Sequence, residues 1–285
     1  LEKKLLSECT IFTWNLHKKD LLDLIENHYD WRNSTIIGWL SEIPTPYPRS
    51  TSNYKIIRPS LPIFDSRLGD HGCFIVSNDV QQNLHDQIVE ARMFATSFTL
   101  VNTGISLPFI GVHLVDRWSM GEEVNRVIDL MTMFQHIKSN WTKSLDKKQI
   151  ILGDFNCDTH ENIMTNARLM ASCQTREIVN NRPVIENMDK ETHWSNLSRY
   201  NVQREFKGEP IGSLFYTQNK TKPWHFYDHI LLAKESLSYY KNDSFKVLTK
   251  LGSTDLVTPS RSQYSKYKLI KKYSDHLPIE MVLEI

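Results

Sequence analysis

The feature that most constrains this chain is a recurring pattern in which an apolar, β-rich run ends on an acid, an amide or an imidazole. Ile11-Phe12-Thr13-Trp14 runs into Asn15, residues 36–40 run into Ser41-Glu42, and the apolar run from Phe109 reaches His113. Residues 149–152 lead into Gly153-Asp154-Phe155-Asn156, Tyr227-Asp228-His229 lies in the next apolar run, and Ser274-Asp275-His276 opens the last. Polar groups are costly to desolvate unless paired, so a buried strand that delivers one at its end gives up folding stability there. One such case is usually structural. Six together point to a single site assembled at the edges of sheets.

The same runs predict the architecture. Strands are expected over residues 9–16, 36–40, 54–57, 73–77, 93–102, 109–115, 149–152, 226–232 and 277–285. Leu21, Leu22, Leu24 and Ile25 predict a helix within 20–29, and Val124, Val127, Ile128, Met131, Phe134 and Ile137 predict a long one over 119–141. Residues 163–170 read as helical, whereas 172–215 is irregular and polar. Strands outnumber helices, and helices fall between pairs of strands. That argues for an α/β protein of layered sheets flanked by helices rather than a TIM barrel. No repeat, low-complexity tract or linker divides the 285 residues, so one domain over 1–285 is the simplest organisation.

A formal net charge of +1 argues against a protein that binds polyanions over its whole surface. The charge is uneven, however. Between Lys241 and Lys272 eight basic residues face two acidic ones, with Tyr264 and Tyr267 interleaved and Tyr273 just after. Such a stretch can neutralise phosphates and stack bases, or it can be a solvated loop. Cys9, Cys73, Cys157 and Cys173 are scattered and form no CxxC spacing, which excludes zinc-ribbon and thioredoxin-like readings. Free thiols in a reducing compartment follow, and a cytoplasmic location is expected. No apolar run approaches the ~20 residues of a membrane-spanning helix. The chain begins at Leu1 without an initiator Met, which leaves open that it is one domain of a larger protein.

The collected side chains suit one chemistry. Hydrolysing a phosphodiester requires charge neutralisation on a non-bridging oxygen, an activated water in line, and help for the leaving oxygen. Hard carboxylates such as Glu42 and Asp275 suit Mg²⁺ or Mn²⁺. An aspartate can deprotonate the water, an amide can orient it, and a histidine fixed by a carboxylate can hold the phosphate.

The ordered set Trp14-Asn15, Ser41-Glu42, His113-Leu114, Gly153-Asp154-Phe155-Asn156, Tyr227-Asp228 and Ser274-Asp275-His276-Leu277-Pro278 resembles the endonuclease/exonuclease/phosphatase superfamily. The resemblance spans about residues 9 to 285. It implies a four-layer α/β sandwich, with two packed mixed sheets between helices and the site at one edge. By motif match, Glu42, Asn15 and Asp275 would serve the metal. Asp154 and Asn156 would handle the water, His276 with Asp228 would hold the phosphate, and His113 would lie near the phosphate or leaving group. Ser41 stands where the family often has Gln, and His229 where an aromatic is commoner.

Singly, each residue has a plainer interpretation. Asn15 reads as a turn residue, Glu42 as a solvated loop acid, His113 as a core histidine, Asp154 as an Asx-turn with Asn156, and Asp275 as a turn. Their joint order favours a metal-dependent phosphoesterase, foremost a nuclease acting on DNA or RNA. His193, Trp194, Arg117, Lys271 and Lys272 are the expected substrate contacts. The competing expectations are a phosphatase or phospholipase C-type hydrolase acting on inositol phosphates or sphingomyelin, and a non-catalytic binding module on the same scaffold. His17, His136, His160 and His225 carry no assignment.

Overall fold

The computed structural model describes residues 7–44, 46–59, 72–90, 92–114, 148–158, 161, 164, 194–196, 212–215, 224–233, 235–260 and 267–285. The chain opens with β1 (Glu8–Asn15), α1 (Leu22–His28), β2 (Thr35–Ser41), β3 (Tyr54–Ile57) and β4 (Gly72–Ser77). Then come β5 (Val80–Glu90), β6 (Met93–Leu100), β7 (Ile105–His113), β8 (Ile150–Asp154) and β9 (Trp194–Asn196). Short strands β10 (Leu214–Phe215) and β11 (Trp224–His225) precede β12 (Asp228–Ala233) and β13 (Lys246–Val247). The last are β14 (Lys250–Leu251), β15 (Thr254–Asp255), β16 (Val257–Pro259), β17 (Tyr267–Leu269) and β18 (Ile279–Glu284).

Two six-stranded mixed sheets form the frame, ordered β13-β18-β1-β2-β4-β3 and β5-β6-β7-β8-β12-β9. Each contains one parallel pair, β1 with β2 and β7 with β8. A parallel pair needs a crossover, and α1 supplies the first. Its buried Ile25 joins Phe12, Trp14, Ile36, Leu40 and Ile75 in a cluster on one face of the first sheet. The second crossover, where the 119–141 helix is expected, lies outside the described residues, as do nearly all of 163–170 and much of 172–215. Among the described residues, α1 is the one α-helix whose whole span is described, and Met164 is helical as well.

Between the sheets lies the main core. Ile11, Ile37, Trp39, Phe74 and Val76 from the first meet Phe94, Phe98, Phe109, Ile150, Leu152, Ile230 and Leu232 from the second. Residues two apart along each strand share this face, as strand geometry requires. Trp39 joins the layers directly. Its indole N–H donates to the Val112 carbonyl at 3.1 Å, and a Cβ at Gly111 would fall 2.1 Å from its ring. Cys9, Cys73 and Cys157 are buried free thiols.

Three features depart from expectation. Strand β5 was not foreseen because Gln81-Gln82-Asn83 breaks the apolar pattern; as an edge strand it can tolerate polar residues. The final strand begins at Ile279 rather than 277, and β12 at Asp228 rather than 226. The basic stretch from Lys241 is built partly of short ribbons, and two of its lysines already have acidic partners. Lys241 pairs with Glu8, and Lys246 lies 4.0 Å from Glu280. No helix among the described residues is long and apolar enough to cross a membrane.

Gly153 is the sharpest backbone constraint beside the strand ends. It has φ +143, it pairs with Val112 across the parallel β7–β8 ladder, and a Cβ there would sit 2.0 Å from the Val112 carbonyl oxygen. Gly153→Ala should destabilise the protein by about 2–4 kcal/mol, because ladder backbone must move. Gly104→Ala has φ +67 but open space, so it should cost only about 1 kcal/mol. Urea midpoints of the two variants check the ranking.

Candidate active site

The two parallel pairs end at the same edge of the sandwich, and the polar strand ends meet there. In the second sheet, His113 on β7 pairs in register with Asp154 on β8, and Asp154 with Asp228 on β12. A histidine and two carboxylates therefore stand in one row across three strands. In the first sheet, Asn15 on β1 is the register partner of Ser41 on β2, which places Glu42 at the same edge.

Asn15 ties the halves together. Its amide nitrogen donates to Glu42 Oε1 and to Asp154 Oδ2, both at 3.0 Å. Its Oδ1 accepts the His17 backbone N–H at 2.9 Å, which fixes the amide orientation. Asp154 is buried. Its Oδ1 accepts the Asn156 backbone N–H at 2.8 Å, so the Asx-turn reading holds and the residue still faces the cluster. Asn156 adopts φ +50 and donates its side-chain amide to the Leu114 carbonyl at 2.8 Å. Glu42 is also left-handed, at φ +47. Non-glycine residues persist in that region only where their surroundings enforce it, and such residues cluster at functional sites.

Asp154 and Asp228 face each other across an antiparallel pair, an arrangement that like charges destabilise. His276 compensates. Its Nδ1–H donates to Asp228 Oδ2 at 2.7 Å, while Nε2 lies 3.8 Å from Asp154 Oδ2 and 4.0 Å from Asp275 Oδ1. The histidine is held by the Trp14 indole N–H, which donates to its carbonyl at 2.9 Å, and by the Ser274 hydroxyl, which accepts its backbone N–H at 3.0 Å. Burial opposes the charge on His276. The carboxylates of Asp228, Asp154 and Asp275 outweigh that and carry its pKa up to about 10. Burial likewise pushes Asp154 up to about 7; His276 pulls it down, Asp228 pushes it up, and hydrogen bonds from Asn15 and the Asn156 N–H lower it.

His113 completes the ring, with Nε2 3.6 Å from Glu42 Oε1 and 4.0 Å from Asp154 Oδ2. His17, unassigned from sequence, is also present. Its Nδ1 lies 3.3 Å from Asp275 Oδ1 and 3.6 Å from Glu42 Oε2. A second unassigned pair braces the site from outside. Asp158 Oδ2 is 2.9 Å from His225 Nδ1, and its Oδ1 accepts the Phe226 N–H at 2.8 Å, holding the segment that delivers Asp228. Nothing in the sequence pattern distinguishes Asp158 or His225 from ordinary loop residues. His229 replaces an aromatic as a buried ring between Phe155 and Phe226; burial keeps its pKa low, and its Nε2 is 2.9 Å from the Cys157 carbonyl.

The donor set fits a cation. Asp154, Asp228 and His276 each offer an atom within 4.8 Å of the others, so this buried group can hold a metal. His276 uses Asp228 Oδ2, while Asp228 Oδ1 is buried without a hydrogen-bond partner. Asp275 Oδ1 likewise has no hydrogen-bond partner, with His17 Nδ1 at 3.3 Å across a half-exposed side chain.

The expected substrate contacts are less gathered. Lys271 and Lys272 are exposed just ahead of Asp275. The backbone of Trp194 pairs with Ala233, at the end of β12 opposite Asp228 and about 17 Å along the strand. Arg117 and His193 lie outside the described residues.

In metal-free protein His276 should carry protons on both ring nitrogens at pH 8, seen by ¹⁵N NMR. The stability it contributes is full below its ordinary 6.5 and lost as pH rises through about 10. Asp228→Asn removes the leading upward influence, so burial should leave the ring neutral at pH 8.

No family model and no curated protein matches the sequence. Solved structures do match its fold. The endonuclease domain of TRAS1, a telomere-specific non-LTR retrotransposon, aligns with TM-score 0.55 at 13% identity, over 97% of this chain and 98% of that one. An endonuclease/exonuclease/phosphatase family protein from Bacteroides thetaiotaomicron aligns with TM-score 0.55 at 14% identity, over 98% of each chain. A mannosyl-6-phosphatase from Bacteroides thetaiotaomicron VPI-5482 aligns with TM-score 0.53 at 13% identity, over 97% and 100%. The chain has the endonuclease/exonuclease/phosphatase fold.

Proposed function

We propose that this protein is a divalent-metal-dependent phosphodiester hydrolase and, within that class, a nuclease. One observation carries the reading: Asp154, Asp228 and Asp275 converge on His276, and Asn15 joins Asp154 to Glu42 of the other sheet. So much negative charge at one edge calls for a cation, and hard carboxylates favour Mg²⁺ or Mn²⁺. Glu42 and Asp275 would hold it. When bound, the ion supplies Lewis-acid polarisation of a phosphoryl oxygen and offsets the charge that develops there.

The protein's own groups do the rest. Asp154, kept in place by Asn15 and the Asn156 N–H, takes the proton of the attacking water. His276 donates Nε2–H to a non-bridging phosphate oxygen, and its Nδ1–H bond to Asp228 fixes the ring for that contact. His113, beside Glu42 and Asp154, faces the leaving oxygen or the phosphate. Asn15, grouped with the metal residues in the sequence analysis, acts by orienting Glu42, since its Oδ1 is already engaged by His17 N–H.

A basic rim supports a polymeric substrate. The Lys19 ammonium donates to the Lys271 carbonyl, which brings the 17–19 turn beside the 271–272 turn. Lys18, Lys271 and Lys272 are exposed there, next to Asp275. Four lysines at one rim suit several phosphates of a strand better than one small phosphate ester. The TRAS1 domain is an endonuclease and the Bacteroides protein a mannosyl-6-phosphatase, so the fold serves both kinds of substrate.

The test is hydrolysis of plasmid, single-stranded DNA, RNA, inositol phosphates and sphingomyelin with Mg²⁺ or Mn²⁺. A polynucleotide should be cut, and EDTA should abolish the reaction. Asp154→Ala should lower turnover by at least ~100-fold. If three or four of the rim lysines contact phosphates, affinity for a single strand should fall roughly 20- to 50-fold over a fourfold rise in salt. Hydrolysis of small esters alone would replace nuclease with phosphatase. Near-wild-type turnover by Asp154→Ala would contradict the assigned roles.

A further inference from the structure

We infer that Asp158 is a positioning residue: it ties the turn that carries Asn156 to the segment that delivers Asp228, and so fixes Asp228 against Asp154. The inference rests on the proposed hydrolase function and adds to it a residue that governs turnover without touching substrate.

The β8–β12 ladder ends at the Asp154–Asp228 pair, so strand pairing alone does not hold what lies beyond it. Asn156, at φ +50, turns the chain out of strand geometry two residues after Asp154. Four contacts nevertheless join residues 155–158 to residues 225–229. The Phe155 N–H donates to the Tyr227 carbonyl at 2.9 Å, and His229 Nε2 lies 2.9 Å from the Cys157 carbonyl. The other two belong to one carboxylate. Asp158 Oδ1 accepts the Phe226 N–H at 2.8 Å, and Oδ2 lies 2.9 Å from His225 Nδ1. A side chain thus extends the ladder where the backbone has turned away.

A purely local role does not account for this carboxylate. The Asp158 N–H donates to Glu161 Oε1 at 2.7 Å, and the Glu161 N–H donates to the Asp158 carbonyl at 3.0 Å. That is the spacing of a capping box, a motif that satisfies its own turn and needs no distant partner. Here the carboxylate reaches residues 67 and 68 places later in the chain. Asp158 is buried, as is Phe226. A buried carboxylate is costly unless strong, charge-assisted hydrogen bonds offset its desolvation, and Asp158 makes them at this junction.

The junction lies two residues ahead of Asp228. Removing the carboxylate would strand the Phe226 N–H, and buried backbone donors are rarely left without a partner. The Asp228 N–H donates to Ser213 Oγ at 3.1 Å and its Oδ2 accepts from His276, so a shift at 226 passes to the groups proposed to act on phosphate. A misplacement of about 1 Å at such groups lowers a rate roughly 100-fold. The rim lysines lie on other segments, and substrate affinity should be spared.

Amide hydrogen exchange on metal-free protein and steady-state kinetics test the inference together. In wild type the Phe226 amide should be protected as β12 amides are. Asp158→Ala should speed exchange at Phe226 and Asp228 at least ~10-fold while Ile230 and Leu232 stay within ~2-fold. On whichever phosphoester the wild type hydrolyses, it should lower kcat ~10- to 100-fold and change KM less than ~2-fold. Asp158→Asn keeps an oxygen for the Phe226 N–H and a polar group for His225, and should return both readouts to within ~3-fold of wild type. A Phe226 amide that exchanges in wild type like an exposed one would overturn the inference without any variant. So would an unchanged kcat in Asp158→Ala, or exchange that rises evenly along β8 and β12, the mark of general destabilisation. If the wild type hydrolyses no phosphoester while exchange behaves as expected, the hydrolase reading falls and Asp158 still positions Asp228.

Discussion

The site depends on one amide. Asn15 ends the first sheet's central strand and donates both hydrogens of its side chain, one to Glu42 and one to Asp154. Those carboxylates belong to different sheets, so the bond pair closes the sandwich at its polar edge much as Trp39 closes it through the Val112 carbonyl. Because Asn15 Oδ1 accepts the His17 N–H, the amide cannot turn away without losing three bonds at once. Apolar packing fixes the distance between the sheets, and Asn15 sets how the acids of one face those of the other.

Charge is the second constraint. Two carboxylates opposed across neighbouring strands would weaken the ladder, and two more stand nearby. Protonated His276 offsets part of this, which is why burial does not leave it neutral. The remaining negative charge is the physical reason to expect a cation, and Asp228 Oδ1 and Asp275 Oδ1 are the oxygens of this network without a hydrogen-bond partner. Stability and chemistry are thus in opposition at this edge.

Much of this was visible in the sequence because strand ends are legible. A run such as Ile150-Ile151-Leu152 must be buried, and the residue that follows must either be paired or serve a function. That logic picked out Asn15, Glu42, His113, Asp154, Asp228 and His276, and the structure brings them together. His17 was missed because its position comes from two left-handed residues, which a His-Lys pair does not announce. Asp158 and His225 were missed because they are 67 residues apart in chain order and neither ends an apolar run. Strand β5 hid behind its glutamines, which an edge position accommodates. Trp194, expected as a substrate contact, has its backbone paired at the end of β12 away from Asp228.

If the proposed function is right, a cation binds at Glu42 and Asp275, beside an acid–imidazole network that remains hydrogen-bonded to itself. A crystal grown with Mn²⁺, with diffraction collected at an energy where manganese scatters anomalously, tests this directly. An anomalous peak is expected within bonding distance of a Glu42 oxygen and an Asp275 oxygen, with the Asp228–His276 hydrogen bond intact. A peak seated among Asp154, Asp228 and His276, with Glu42 uncoordinated, would contradict it.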